Sequence, residues 1–134
     1  MRNFKRALIT GISGSGGSYL AEYIIRNHPK TKVFGIYRNK TENLTHIIKQ
    51  KSNLIRCDLN DFKKTFYSIK KTKPDVIFHL ASNADVKKSF DYPMEIINNN
   101  NNCTLNLLES VRKLKINPII QICSTSEVYG MVTK

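Results

Sequence analysis

Long apolar runs are missing from this sequence, and no stretch approaches the eighteen or more residues a membrane-spanning helix requires. The amino-terminal segment Met1 to Arg6 is basic, but only Ala7-Leu8-Ile9 follow it before glycines begin. That is too short for the apolar part of a secretory signal, so a cytoplasmic protein is expected. Cysteine is scarce: Cys57, Cys103 and Cys123 stand far apart with no C-x-x-C pair. An odd, sparse set of this kind speaks against a disulfide framework or a zinc site. No two histidines or acids have metal-ligand spacing, and no metal is expected. The triplets beginning at Asn39, Asn43 and Asn102 match the glycosylation pattern but carry no meaning without secretion.

Acidic residues are few, 10 against 22 Lys and Arg, which leaves a net charge of +12. A nucleic-acid surface is one reading of such a balance. The lysines, however, are dispersed, and Lys63, Lys64, Lys70, Lys71 and Lys73 fall on one solvated helix. There is no zinc-finger spacing and no aromatic-basic interleaving of the kind RNA-binding sheets show. A Lys- and Asn-rich composition and attraction for polyphosphate ligands account for the charge, and no nucleic-acid partner is expected.

What the chain does have is alternation. Strand-length apolar runs occur at 6–10, 32–37, 53–57, 75–80 and 118–123, and helical periodicity occurs at 17–27, 61–71 and 93–115. The first helix is read with Tyr19-Leu20, Tyr23-Ile24 and Asn27 on its inner face. Strands alternating with helices of ten or more residues predict parallel β-α-β units. The apolar fourth and fifth strands fit a sheet covered on both faces. Residues 98–102 are five successive asparagines, costing about 3 kcal/mol against alanine in a helix. The apolar face nevertheless runs through them, from Ile96-Ile97 to Cys103, Leu107-Leu108, Val111 and Leu114. The segment is read as helix, with Asn100 on the inner side as a packing oddity or a holder of nearby backbone.

Thr10-Gly11-Ile12-Ser13-Gly14-Ser15-Gly16-Gly17 lies between the first strand and the first helix. Gly11, Gly14 and Gly17 would allow a sharp turn, close approach of backbone to a pyrophosphate, and tight helix-strand packing. Ser13, Ser15 and Gly16 complete a loop that opens onto a helix N-terminus, a natural anion site. An ordinary glycine-rich turn could look the same; the strand before and the helix after favour dinucleotide binding. The second strand ends in Tyr37-Arg38-Asn39-Lys40, with no carboxylate to hold a ribose 2′-hydroxyl. Arg38 suits a 2′-phosphate, so NADP is expected over NAD. The other reading of Arg38 is one more cation in a basic protein.

With these residues in order, the chain resembles the extended short-chain dehydrogenase/reductase family. Thr10 to Gly17 is similar to its T-G-x-x-G-x-x-G loop, and Asp58-Leu59 to the pair that contacts adenine. His79-Leu80-Ala81-Ser82 is similar to its H-L-A-A turn. Asn100 with Cys103-Thr104 falls on N-x-x-G-T, with cysteine replacing glycine. Ser124 to Gly130 is similar to S-S-x-x-V-Y-G. Within the family, Ala7 to Gly14 and Gly17 to Glu22 resemble the GDP-mannose 4,6-dehydratase branch, although Ser15-Gly16-Gly17 replaces its usual Q-D-G. UDP-glucuronate decarboxylases share the T-S-E-V-Y-G string.

The resemblance implies a three-layer Rossmann-like fold with a parallel sheet of about five strands, residues 1–134 being the NAD(P)-binding domain. It implies Gly11, Ser13, Gly14, Ser15, Gly16, Gly17, Arg38, Asp58, Leu59, Leu80, Ala81, Ser82, Asn100 and Ser124 as cofactor-binding positions. Thr125 would hydrogen-bond the sugar C4 oxygen and Glu127 would act as acid/base, with GDP-mannose as the expected sugar nucleotide. A polar strand-to-loop turn is the plainer reading of that pair. His79 is expected to be structural, and His28 and His46 to lie on the surface. The family's Y-x-x-x-K pair does not follow this segment within the 134 residues. An amino-terminal part of a longer, homo-oligomeric enzyme is therefore expected, binding cofactor without catalysing and leaving the fifth strand with an open edge and uncovered apolar surface. A non-catalytic NADP-binding module, or an epimerase or decarboxylase of the same family, are the alternatives.

Overall fold

A computed structural model describes residues 4–39, 41–125 and 130. Five strands, β1 (Arg6–Thr10), β2 (Lys32–Tyr37), β3 (Ser52–Arg56), β4 (Val76–His79) and β5 (Ile119–Ile122), alternate with helices. The helices are α1 (Ser15–Asn27), α2 (His46–Lys51), α3 (Phe62–Thr72), α4 (Val86–Asp91) and α5 (Pro93–Leu114). The strands pair in parallel in the order β3-β2-β1-β4-β5. Chain order reverses beside β1, where the crevice of an open α/β sheet falls.

Side chains that alternate along each strand feed two cores. Ala7 and Ile9 of β1 join Val33, Val76 and the inner faces of α1 and α2, chiefly Ala21, Ile24, Ile25 and Ile48. Leu8 points the other way, with Ile36 and Ile77, against Ile69 of α3 and Cys103 and Leu107 of α5. Two helical layers thus enclose one sheet. Each fully buried Leu or Ile contributes about 1.5–3 kcal/mol of transfer free energy. Among the described residues no helix is long and apolar enough to cross a membrane.

Several details differ from the sequence reading. Helix α1 begins at Ser15, two residues early, and its buried face is Gly17, Ser18, Ala21, Ile24 and Ile25. Tyr19 and Tyr23 are 78% and 57% exposed, and Asn27 is exposed as well. Glycine and serine let α1 approach the sheet, so the inner face is the small-residue face rather than the aromatic one. A Cβ on Gly17 would collide with the Gly11 carbonyl. Helices α2 and α4 were not anticipated; α2 buries only Ile48 and α4 buries nothing, so neither carries a strong period. Strand β5 departs from the two-face covering read for the fourth and fifth strands but agrees with the uncovered apolar surface expected on the fifth: among the described residues Ile119 and Ile122 are 42% and 44% exposed. Helix α5 runs through all five asparagines, with Ile96, Cys103, Leu107 and Ser110 buried beneath it.

Candidate cofactor-binding site

The carboxyl ends of β1, β2, β3 and β4 open onto a cleft of about 420 Å³. Its lining includes Gly11, Ser13, Gly14 and Ser15 on one side and Arg38, Asp58 and Leu59 on another. Leu80, Ala81 and Ser82 border it from the β4 loop. Ten of the sequence-derived positions therefore meet in one cavity. Gly16, Gly17, Asn100, Ser124 and Thr125 do not line it. Gly16 and Gly17 lie in the first turn of α1, where a Cβ on Gly16 would stand 3.3 Å from the Leu80 side chain. Ser124 and Thr125 follow β5 at the same edge of the sheet and are exposed. Glu127 lies outside the described residues.

Backbone geometry builds the cradle. Gly11 has φ +70°, a conformation glycine adopts freely, and a Cβ there would meet Ala81 backbone at 2.9 Å. The β1 and β4 loops can touch only because the side chain is absent. Gly14 N–H donates to the Gly11 carbonyl at 2.9 Å, closing the turn. No side chain caps α1 and no acid occupies its first turn. The first-turn amides, which have no partner within a helix, face the cleft with the positive end of the helix dipole. These features fit a pyrophosphate, because a dinucleotide needs bare backbone and positive potential at this point.

The loops are held by named bonds. Thr10 Oγ1 accepts from Ala81 N–H at 3.2 Å and donates to His79 Nδ1 at 2.8 Å. Thr104 Oγ1 donates to the Asn100 carbonyl at 3.0 Å, which leaves its lone pair for His79 Nε2–H, also at 3.0 Å. The network thus assigns the Nε2–H tautomer to a neutral ring. His79 is 3% exposed, and burial lowers its pKa, in keeping with the structural role expected of it. Asn100 holds backbone: Oδ1 accepts from Asn83 N–H at 2.7 Å and Nδ2 donates to the Asn83 carbonyl at 3.1 Å. His28 and His46 are exposed.

The sequence reading missed Asn43, whose Nδ2 donates to the Ser13 carbonyl at 3.0 Å and ties the phosphate loop to the loop after β2. It also missed Asn99, Cys57 and Cys103 as lining residues. Burial pushes the Cys57 thiol up, and Cys103 is pushed up to about 11. Both belong to the apolar cluster on the α3 and α5 side of the sheet. No cluster of three or more His, Cys, Asp or Glu able to hold a metal occurs among the described residues.

A glycine cradle at the switch point of a parallel sheet, with a family profile matching nearly the whole chain, decides the kinship. The profile described as GDP-mannose 4,6 dehydratase matches residues 8–134. The chain belongs to that family. A GDP-mannose 4,6-dehydratase of Yersinia enterocolitica is 35% identical over 140 residues, covering 96% of this chain and 37% of that protein. A UDP-N-acetyl-alpha-D-glucosaminuronate decarboxylase of Bacillus cytotoxicus is 38% identical over 133 residues, covering 96% and 39%. Among solved structures, the UDP-glucose 4-epimerase of Thermus thermophilus in complex with NAD superposes with a TM-score of 0.70 at 27% identity, over 84% of this chain and 35% of that one. The chain spans 37% to 41% of the length of the first curated relatives it matches. Both the family and the parallel Rossmann-like sheet agree with the sequence reading.

Proposed function

We propose that the protein carrying this chain is a nucleotide-sugar 4,6-dehydratase that acts on GDP-mannose with NADP as resident cofactor. The supporting observation is that the glycine cradle and the Arg38 guanidinium meet in one cleft of a chain belonging to this family. The first-turn amides of α1 would take the pyrophosphate, Asp58 and Leu59 would border the adenine, and Arg38 would take the 2′-phosphate. Once bound, the nicotinamide would accept hydride from sugar C4 and return it to C6. Thr125 would hold the C4 oxygen without adding charge, and Glu127 would serve as acid/base in eliminating water across C5 and C6. The proposal extends to a cytoplasmic homo-oligomer.

Two measurements on the full gene product test this reading. Calorimetric titration should show NADPH binding at least about tenfold tighter than NADH, as a charge-assisted contact to the extra phosphate requires. Equal affinities would remove NADP from the proposal. Incubation with GDP-mannose should yield a product lighter by one water. The identity to the Bacillus cytotoxicus decarboxylase favours a second reading, in which a nucleotide-sugar uronate would lose carbon dioxide instead. Inertness toward GDP-mannose together with that loss would overturn the dehydratase assignment.

A further inference from the structure

Arg38 is tied into a chain of side-chain amides that runs beneath the cleft. Its Nη1 donates to Asn99 Oδ1 at 3.5 Å. The same oxygen accepts from Asn60 Nδ2 at 2.9 Å, and Asn99 Nδ2 donates to Asn100 Oδ1 at 3.0 Å. Asn60 is in turn fixed to Asp58 Oδ1, by its backbone N–H at 3.0 Å and its amide at 3.2 Å. Asn100 grips the backbone of Asn83. Two adjacent residues of α5 thereby join three loops, Asn99 those that follow β2 and β3 and Asn100 that which follows β4, and Asn99 lines the cleft beside Arg38 and Asp58.

We infer that Asn99 is a positioning residue for Arg38 and that it sharpens selection of a ribose 2′-phosphate over a 2′-hydroxyl. The inference rests on the NADP reading above. The orientation of the amide is set from both sides: two donors face Oδ1, and an acceptor faces Nδ2. A fixed neutral oxygen restrains the guanidinium without neutralising it. An arginine at an exposed rim otherwise loses rotamer freedom when it binds a ligand, and prior restraint reduces that loss. The contact is long, so a phosphate able to form short charge-assisted bonds displaces it readily. A carboxylate in the same place would pair with Arg38 and repel the phosphate.

The test uses 2′,5′-ADP and 5′-AMP, which differ only in the 2′-phosphate, titrated into the full gene product. Asn99→Ala should lower the preference for 2′,5′-ADP about three- to tenfold and leave 5′-AMP affinity within about twofold. Asn99→Asp should lower the preference further. Asn99 is half-buried at the rim and outside both core clusters, so each variant leaves the core intact. An unchanged preference in both variants, or equal losses for the two ligands, would overturn the inference. Arg38→Ala separates the two levels of the argument. If the parent protein shows no preference and Arg38→Ala changes nothing, the NADP reading fails and this inference fails with it. If Arg38→Ala abolishes a preference that the Asn99 variants leave intact, only the inference fails.

Discussion

Strands β1 and β5 are both short apolar segments of one parallel sheet, and their surroundings differ sharply. In β1, Ala7, Leu8, Ile9 and Thr10 are 0% exposed, with β2 and β4 on either side and a helical layer over each face. In β5, which is at the end of the sheet order, Ile119 and Ile122 keep 42% and 44% of their surface. Only Ile120 of that strand packs against the core beside α5. Apolar β-branched residues bring both segments into the sheet, but the number of covered faces decides what each contributes. The cleft is built on the well-covered side, around the end of β1, where a rigid floor can hold a cradle in register.

The largest expected effect tests that contrast directly. Leu8→Ala should cost about 3–5 kcal/mol, because the site is closed on all sides and cannot collapse around the lost atoms. Ile122→Ala should cost about 1 kcal/mol or less, since nearly half of that side chain is already in solvent. Urea denaturation of the two variants of the full gene product provides the comparison. Equal losses would mean that a further surface covers β5 in solution, and the contrast would dissolve.

The same contrast explains what could be read from the sequence. The β1 run, the glycines after it and the strand–helix alternation are local signals, and the structure reproduces them to within a residue or two. Arg38 was visible because a strand end without a carboxylate is conspicuous. Asn99 was not: it is one of five successive asparagines, and only the winding of α5 against the β2 and β3 loops singles it out. The inner face of α1 was misread for a related reason. Pattern analysis favours large apolar residues, whereas close approach to the sheet here selects glycine, serine and alanine. Helix α4 was not anticipated because it buries no side chain and so has no apolar period; a cap starts it, where Asp85 Oδ1 accepts from Lys88 N–H at 3.1 Å. Glu127 lies outside the described residues, so its role stays on the sequence argument alone.

His79 stands on β4, between the two strands, and carries a medium effect. Burial holds its pKa below the usual imidazole value of about 6.5. The unfolded chain therefore binds a proton that the folded chain refuses, and stability falls as the pH is lowered through that window. The contribution is complete above about pH 6.5 and is lost as the pH drops toward the lowered folded value, with a slope of at most about 1.4 kcal/mol per pH unit. His79→Gln should remove that part of the slope while costing about 1–3 kcal/mol at neutral pH, because Thr10 and Thr104 lose a partner. Denaturation midpoints between pH 5 and 8 report both quantities. A slope unchanged by the substitution would place the acid sensitivity elsewhere.

The smallest effect concerns reactivity rather than stability. Cys123 immediately follows β5 and is exposed, whereas Cys57 and Cys103 are 4% and 6% exposed on the floor of the cleft. A thiol pushed up to about 11, as Cys103 is, offers only about one thiolate in a thousand at pH 8. Burial restricts reagent access to it as well. Among these three cysteines, an aromatic disulfide reagent should therefore modify one quickly and two at least about tenfold more slowly, with peptide mapping identifying Cys123 as the fast site. Urea should bring all three to a common rate. If Cys103 or Cys57 reacts as fast as Cys123 in the folded protein, the floor of the cleft opens in solution. The difference between the covered centre and the open edge would then be one of degree, set by local opening rather than by position in the sheet.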